Sequence, residues 1–148
     1  VRETDDKLDQ LLKILRSIKG TAVVYVRNRK KTKEISDFLN GNGISADYFH
    51  AGLSNQTKDI RQKRWKTDEC RVIVATNAFG MGIDKADVRS VIHMDLPDSI
   101  ESYFQEAGRA GRDEKKAYAI LLYSNNDSTK IKKRIADNFP AKEQIVKV

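Results

Sequence analysis

Short apolar runs rich in β-branched residues alternate along this chain with longer segments whose apolar positions recur every three or four residues, the pattern of a parallel sheet covered by helices. Strands are expected at Ala22 to Arg27, Ala46 to Phe49, Arg71 to Thr76, Ser90 to Asp95 and Ala117 to Tyr123. In Arg71-Val72-Ile73-Val74-Ala75-Thr76 the apolar residues are consecutive rather than alternating, as in a strand buried on both faces. The first helix carries Leu8, Leu11, Leu12, Leu15 and Ile18 on one stripe, with Asp5 and Asp6 in its first turn and Lys19-Gly20 at its end. A second should follow Arg29, bury Ile35, Phe38 and Leu39, and stop at Gly41-Asn42-Gly43. A third runs from Ser54 towards Lys66, with Ile60 and Trp65 as its whole apolar face. A fourth starts in Pro97-Asp98-Ser99-Ile100-Glu101, with a capping box from Asp98 to Glu101, and buries Ile100, Tyr103, Phe104 and Ala107. A last helix buries Ile131 and Ile135. Right-handed crossovers place the connections after the strands on one rim, where ligands of open α/β sheets bind.

At 148 residues the chain is long enough for one core, so a single domain over 1–148 is expected. With 39% hydrophobic and 33% charged residues it has the composition of a globular protein with a heavily solvated exterior. No apolar run approaches the ~18 residues of a membrane span, and Val1 to Asp5 show no apolar signal core, so no membrane partner and a cytoplasmic location are expected. One cysteine, Cys70, excludes an internal disulfide, and with His50 and His93 alone beside it no metal site is expected. Cys70 reads as an inert thiol. The net charge of +7 favours a polyanionic partner. Much of the excess sits in two clusters, Arg27, Arg29, Lys30, Lys31 and Lys33, then Lys130, Lys132, Lys133 and Arg134. Either cluster taken alone also fits a solvated helix face.

Three of the connections expected on this rim carry candidate chemistry. Thr76-Asn77-Ala78-Phe79-Gly80-Met81-Gly82-Ile83-Asp84 follows the central strand, and its two glycines permit positive φ and close approach of main-chain amides to a ligand. A plain tight turn explains such a pair equally well. Thr76 and Asn77 add short donors suited to phosphate oxygens. Gln105-Glu106-Ala107-Gly108-Arg109-Ala110-Gly111-Arg112-Asp113 sets two guanidinium forks on one closely packed stretch. Ion pairs with Glu106 and Asp113 would also occupy them, but exposed pairs contribute only ~0–1 kcal/mol, and phosphate contact suits the forks better. Arg27-Asn28-Arg29 hands a strand to a helix N-terminus, a natural anion site, and His50-Ala51-Gly52-Leu53 holds the corresponding place after the next strand. His50 fits a structural role and a nucleic-acid contact alike, whereas His93 belongs to the core.

No glycine is followed by lysine, so the chain has no G-x-x-x-x-G-K-[ST] phosphate loop, and no acidic metal-holding motif follows a strand. It should not hydrolyse a nucleotide by itself. Two phosphate-seeking arginines without a phosphate loop fit a half-site acting on nucleotide held by another domain, as an arginine finger does.

Phe79-Gly80-Met81-Gly82-Ile83-Asp84 and Gln105-Glu106-Ala107-Gly108-Arg109-Ala110-Gly111-Arg112-Asp113, preceded by Tyr48-Phe49-His50-Ala51-Gly52-Leu53, closely resemble the second RecA-like motor domain of RecQ-family DNA helicases of superfamily 2, and bacterial members most. The resemblance runs from about Lys7 to Phe139. A DEAD-box RNA helicase would be expected to show arginine-glycine-isoleucine-aspartate in the first motif and a histidine-arginine opening to the second. Ala86 stands where the family usually has proline, and Glu114 where it has glycine, departures that bear on turn stiffness more than on chemistry.

The resemblance implies a three-layer RecA-like α/β domain, like a P-loop NTPase fold without its own phosphate loop, and a fragment of a larger helicase. It implies ATP and Mg2+ held mainly by a first RecA-like domain of the same polypeptide, absent from this chain. Arg112 then corresponds to the arginine finger and Arg109 to its partner, with Gly82, Asp84 and Gln105 beside the nucleotide. Asn28, Arg29, His50, Thr76 and Asn77 correspond to the grip on single-stranded DNA. Family members translocate 3′ to 5′ and unwind duplexes in recombination and repair. A motor working on RNA, or a non-enzymatic nucleic-acid-binding module, are the competing expectations.

Overall fold

The computed structural model describes residues 3–76, 85–95, 99–123 and 143–147. Helix α1 (Glu3–Ser17) leads into β1 (Thr21–Tyr25), α2 (Arg29–Gly41), β2 (Ala46–Phe49), α3 (Asn55–Lys66), β3 (Val72–Ala75), β4 (Val88–His93), α4 (Ile100–Ala107), β5 (Tyr118–Tyr123) and β6 (Glu143–Lys147). The six strands form one sheet in the order β2-β3-β1-β4-β5-β6, with every pairing parallel. The glycine-rich stretch from Asn77 to Asp84, the Pro97-Asp98 helix start and the helix expected around Ile131 and Ile135 lie outside the described residues.

β1 is the middle of the design. All five of its residues are buried, and their alternation divides the core in two. Ala22 and Val24 pack with Leu11 and Leu15 of α1 and Ile35 and Leu39 of α2, and Val72, Val74, Ile92 and Ile120 from neighbouring strands join them. Val23 and Tyr25 face the other way, onto Trp65 of α3, Ile73, Val91 and Ala110. The expected three layers are therefore present.

The helix ends follow their local chemistry. The Asn28 side-chain oxygen accepts from Lys30 N at 2.8 Å to start α2, and Gly43, at φ 80°, follows its end. Ser54 caps α3 by accepting from Thr57 N at 3.2 Å. On the edge strand β2, Asn40 uses both ends of its amide, donating to Ala46 O at 2.9 Å and accepting from Ala46 N at 3.0 Å.

Three expectations need correction. Ile60 does not share the apolar face of α3, because it is 52% exposed. Trp65 alone anchors that helix, buried to 1% exposure with its indole N–H donating to Ala22 O at 3.1 Å. The sequence pattern also gave no strand at Glu143–Lys147, whose two apolar residues between charged ends are too short a run to signal one. Finally, β4 begins at Val88, two residues before the expected start, since Arg89 interrupts the apolar run there.

Trp65→Ala should cost about 3–5 kcal/mol of unfolding free energy in a denaturant titration. Ile60→Ala should stay within about 0.5 kcal/mol of the parent.

Candidate functional site

The carboxyl rim gathers a basic, aromatic cluster. Arg29 opens α2, and its guanidinium crosses to the turn after β2, where a Cβ added to Gly52 would lie 3.1 Å from Arg29 Nη1 and 3.1 Å from the His50 ring. A side chain at position 52 would crowd both. Gly52 N donates to His50 Nδ1 at 3.0 Å, which makes Nδ1 the acceptor nitrogen of a neutral ring. The His50 and Tyr48 rings stack at 5.9 Å. Arg61, from α3, lies over the Tyr48 ring at 4.1 Å and donates to Tyr48 O at 2.6 Å. Burial first, then the charges of Arg29, Arg61 and Lys58, hold the His50 pKa below its ordinary 6.5.

Of the residues expected here, Arg29 and His50 come together. Asn28 is adjacent, but its side-chain oxygen is committed to the helix cap. Thr76 sits at the floor of the rim, only 7% exposed, with its N–H donating to Phe49 O at 3.3 Å. Asn77 is outside the described residues. Tyr48, Lys58 and Arg61 were missed from sequence. Lys58 and Arg61 stand three apart on a helix with almost no apolar face, and that spacing was the signal available.

The arginine segment is placed differently from expectation. It does not join the others on the carboxyl rim, because α4 runs back along the sheet before the chain enters β5. Gly111 N donates to Val88 O at 2.9 Å and Asp113 N to Ala86 O at 3.0 Å, fixing the turn at the amino end of β4. Gly111 adopts φ 66°, and a Cβ there would come within 2.9 Å of the Ala117 Cβ and 3.0 Å of Lys115 O, so glycine is required twice over. Glu114 also adopts φ 65°, a conformation that costs a non-glycine residue roughly 1–2 kcal/mol. The acids of the motif bond elsewhere: Asp113 meets Arg89 at 2.5 Å, and Glu106 Oε1 lies 3.0 Å from His93 Nε2. The hydrogen bond from Arg89 keeps the Asp113 carboxyl below the usual carboxylate range.

Half-buried Arg109 and exposed Arg112 line a crevice with Trp65, Lys85 and Val88 that has no room for a water molecule. The Lys85 ammonium lies 2.9 Å from both Asp68 and Asp87, with its side chain 7% exposed. Burial opposes its charge, but the hydrogen bonds it donates to those carboxylates outweigh that and raise its pKa. The Asp68 and Asp87 carboxylates thus outnumber the Lys85 charge beside the two arginines. Gln105 is exposed near the end of α4, while Gly82 and Asp84 lie outside the described residues. Cys70 is buried, its thiol pushed up to about 11 chiefly by burial, which keeps it protonated and unreactive. Among the described residues no group of three or more His, Cys, Asp or Glu could hold a metal ion, and no helix is long and apolar enough to cross a membrane.

The helicase conserved C-terminal domain family matches residues 5–114. The chain belongs to that family. Its relatives set it in the RecQ branch: it is 45% identical over 121 residues to the ATP-dependent DNA helicase RecQ of Pasteurella multocida, covering 81% of this chain and 19% of that protein. It is 46% identical over 116 residues to the RecQ-like DNA helicase BLM of Xenopus laevis, covering 78% of this chain and 8% of that one. The helicase domain therefore spans about a fifth or less of the length of these relatives. Its fold is that of solved DEAD-box proteins. The match to the Escherichia coli DEAD-box protein SrmB, solved bound to the regulator of ribonuclease activity A, has a TM-score of 0.85 at 26% identity, covering 96% of this chain and 84% of that one. A Methanococcus jannaschii DEAD box protein matches with a TM-score of 0.83 at 26% identity, over 97% of this chain and 39% of that one. Shared RecA-like architecture with DEAD-box proteins and closer sequence kinship with RecQ proteins agree with the motif differences between the two groups.

In an NMR titration the His50 ring should show a midpoint below 6.5. Because the unfolded ring binds its proton at higher pH than the folded one, stability should fall as pH drops through about 6.5. Arg61→Ala should move the midpoint up.

Proposed function

We propose that residues 1–148 form the second RecA-like motor domain of a longer RecQ-type, ATP-dependent 3′ to 5′ DNA helicase that acts in recombination and repair in the bacterial cytoplasm, at the nucleoid. The observation that carries the reading is the convergence of Arg109 and Arg112 on one cleft, in a chain whose relatives are ATP-dependent DNA helicases. A first RecA-like domain of the same polypeptide holds ATP with its Mg2+. Closure of the two domains brings Arg112 against the γ-phosphate as the arginine finger, with Arg109 beside it, and Gly82, Asp84 and Gln105 near the nucleotide. Such a finger stabilises charge that develops in the transition state, so it acts on turnover more than on ground-state binding.

Single-stranded DNA lies along the carboxyl rim, held by Arg29, His50, Asn28, Thr76 and Asn77, with Lys58 and Arg61 added by the geometry around His50. A neutral His50 with a stacked Tyr48 offers a flat surface for a base or sugar, and the surrounding cations meet the phosphates. Each closing and reopening of the cleft then moves this grip along the strand.

In the full-length helicase Arg112→Ala should lower DNA-stimulated ATP turnover by about 10³–10⁵-fold and leave DNA binding nearly unchanged; hydrolysis within threefold of the parent would overturn the assignment. Arg29→Ala should reduce the slope of log affinity against log salt for single-stranded DNA by about 0.7. An unchanged slope would remove Arg29 from the grip.

A further inference from the structure

Behind the cleft lies a buried polar cluster of which Glu106 alone belongs to the arginine motif. Tyr25 ends β1 and His93 ends β4, and the two are partners in the sheet register. Their rings stack at 5.0 Å with 20° between planes, and Tyr103 of α4 closes on His93 at 4.7 Å. His93 Nε2 and Glu106 Oε1 are 3.0 Å apart. The Tyr25 hydroxyl shares a hydrogen bond with the Arg109 guanidinium, and the Glu106 carboxylate is close enough to act on the same hydroxyl. Tyr25, His93 and Tyr103 are each 3% exposed or less.

Two phenols, an imidazole and a carboxylate beside a layer that includes Val23, Phe49, Ile73 and Val91 are a poor choice for packing alone. Buried polar groups cost stability unless each finds a partner, and an apolar side chain of the same shape would need none. The cluster makes sense through what it touches. Arg109 springs from a turn, between Gly108 and Gly111, and a freely rotating arginine loses up to ~2 kcal/mol of rotamer entropy when fixed. A guanidinium already fixed before the reaction stabilises developing charge without that reorganisation.

We infer that Tyr25 and Glu106 are positioning residues for Arg109: the Tyr25 hydroxyl holds the guanidinium from the sheet side, while Glu106, steadied by His93, supplies the charge that keeps it in place. Neither touches nucleotide, and both act through Arg109. The inference rests on the reading of Arg109 as a nucleotide-facing arginine.

The test uses the full-length helicase, with DNA-stimulated ATP hydrolysis, single-stranded DNA affinity and Tm measured for Tyr25→Phe, Glu106→Gln, Arg109→Ala and the doubles with Arg109→Ala. Tyr25→Phe removes one oxygen and keeps the ring stack. It should lower kcat by about ten- to a hundredfold, the scale of a misplaced group, with DNA affinity unchanged, and should add no further loss in the Arg109→Ala background. Glu106→Gln, which keeps a hydrogen bond to His93, should behave alike and carries the test if Tyr25→Phe lowers Tm. A kcat within twofold of the parent for both variants, or losses that multiply with Arg109→Ala, would overturn the inference while leaving the arginine reading intact. Full hydrolysis by Arg109→Ala itself would overturn both.

Discussion

A strand buried along its whole length on both faces is the constraint from which this domain is built. β1 has no solvated residue, so helices must cover it on two sides, and the parallel pairing sends each connection back across the sheet. The chain therefore has one rim where strands end and another where helices return. The basic rim cluster occupies the first, and the arginine turn occupies the second, pinned to Val88 and Ala86 by main-chain hydrogen bonds. Two candidate surfaces are thus held by one element rather than by each other.

The two core layers differ in kind. The one under α1 and α2 is almost wholly aliphatic. The other contains the large side chains with polar tips, Trp65, Tyr25 and Tyr103, together with His93. Each polar tip commits its ring to a direction, as the Trp65 indole does in bonding Ala22 O. Packing of this layer consequently fixes orientation as well as filling space, and it is the layer that backs the arginines.

How much of this was legible follows from which forces write themselves into sequence. The central strands and α1 and α2 were readable because burial on a regular period leaves apolar residues at regular intervals. Val72–Ala75 is the clearest case. Glu143–Lys147 was not readable, since a five-residue strand with charged ends resembles a polar loop. Ile60 misled because a helix held by one tryptophan needs no second apolar residue. The residues of the arginine motif were identifiable, while their side of the sheet was not, because that depends on the direction of α4 rather than on the motif. Lys58, Arg61 and Tyr48 join His50 only through tertiary contact, and no local pattern announces such a meeting.

The outer edge of the sheet shows what two of these contacts do beyond their local role. Val72 N and Thr76 N take the carbonyls of Ser45 and Phe49, so alternation turns Ala46 and Tyr48 outward. Asn40 occupies both main-chain groups of Ala46, and Arg61 takes the Tyr48 carbonyl. Both outward groups of Ala46 and the Tyr48 carbonyl are thus taken by side chains of the same molecule, which obstructs β-augmentation and edge-to-edge aggregation at β2. An arginine that faces the rim cluster on one side also guards this border on the other.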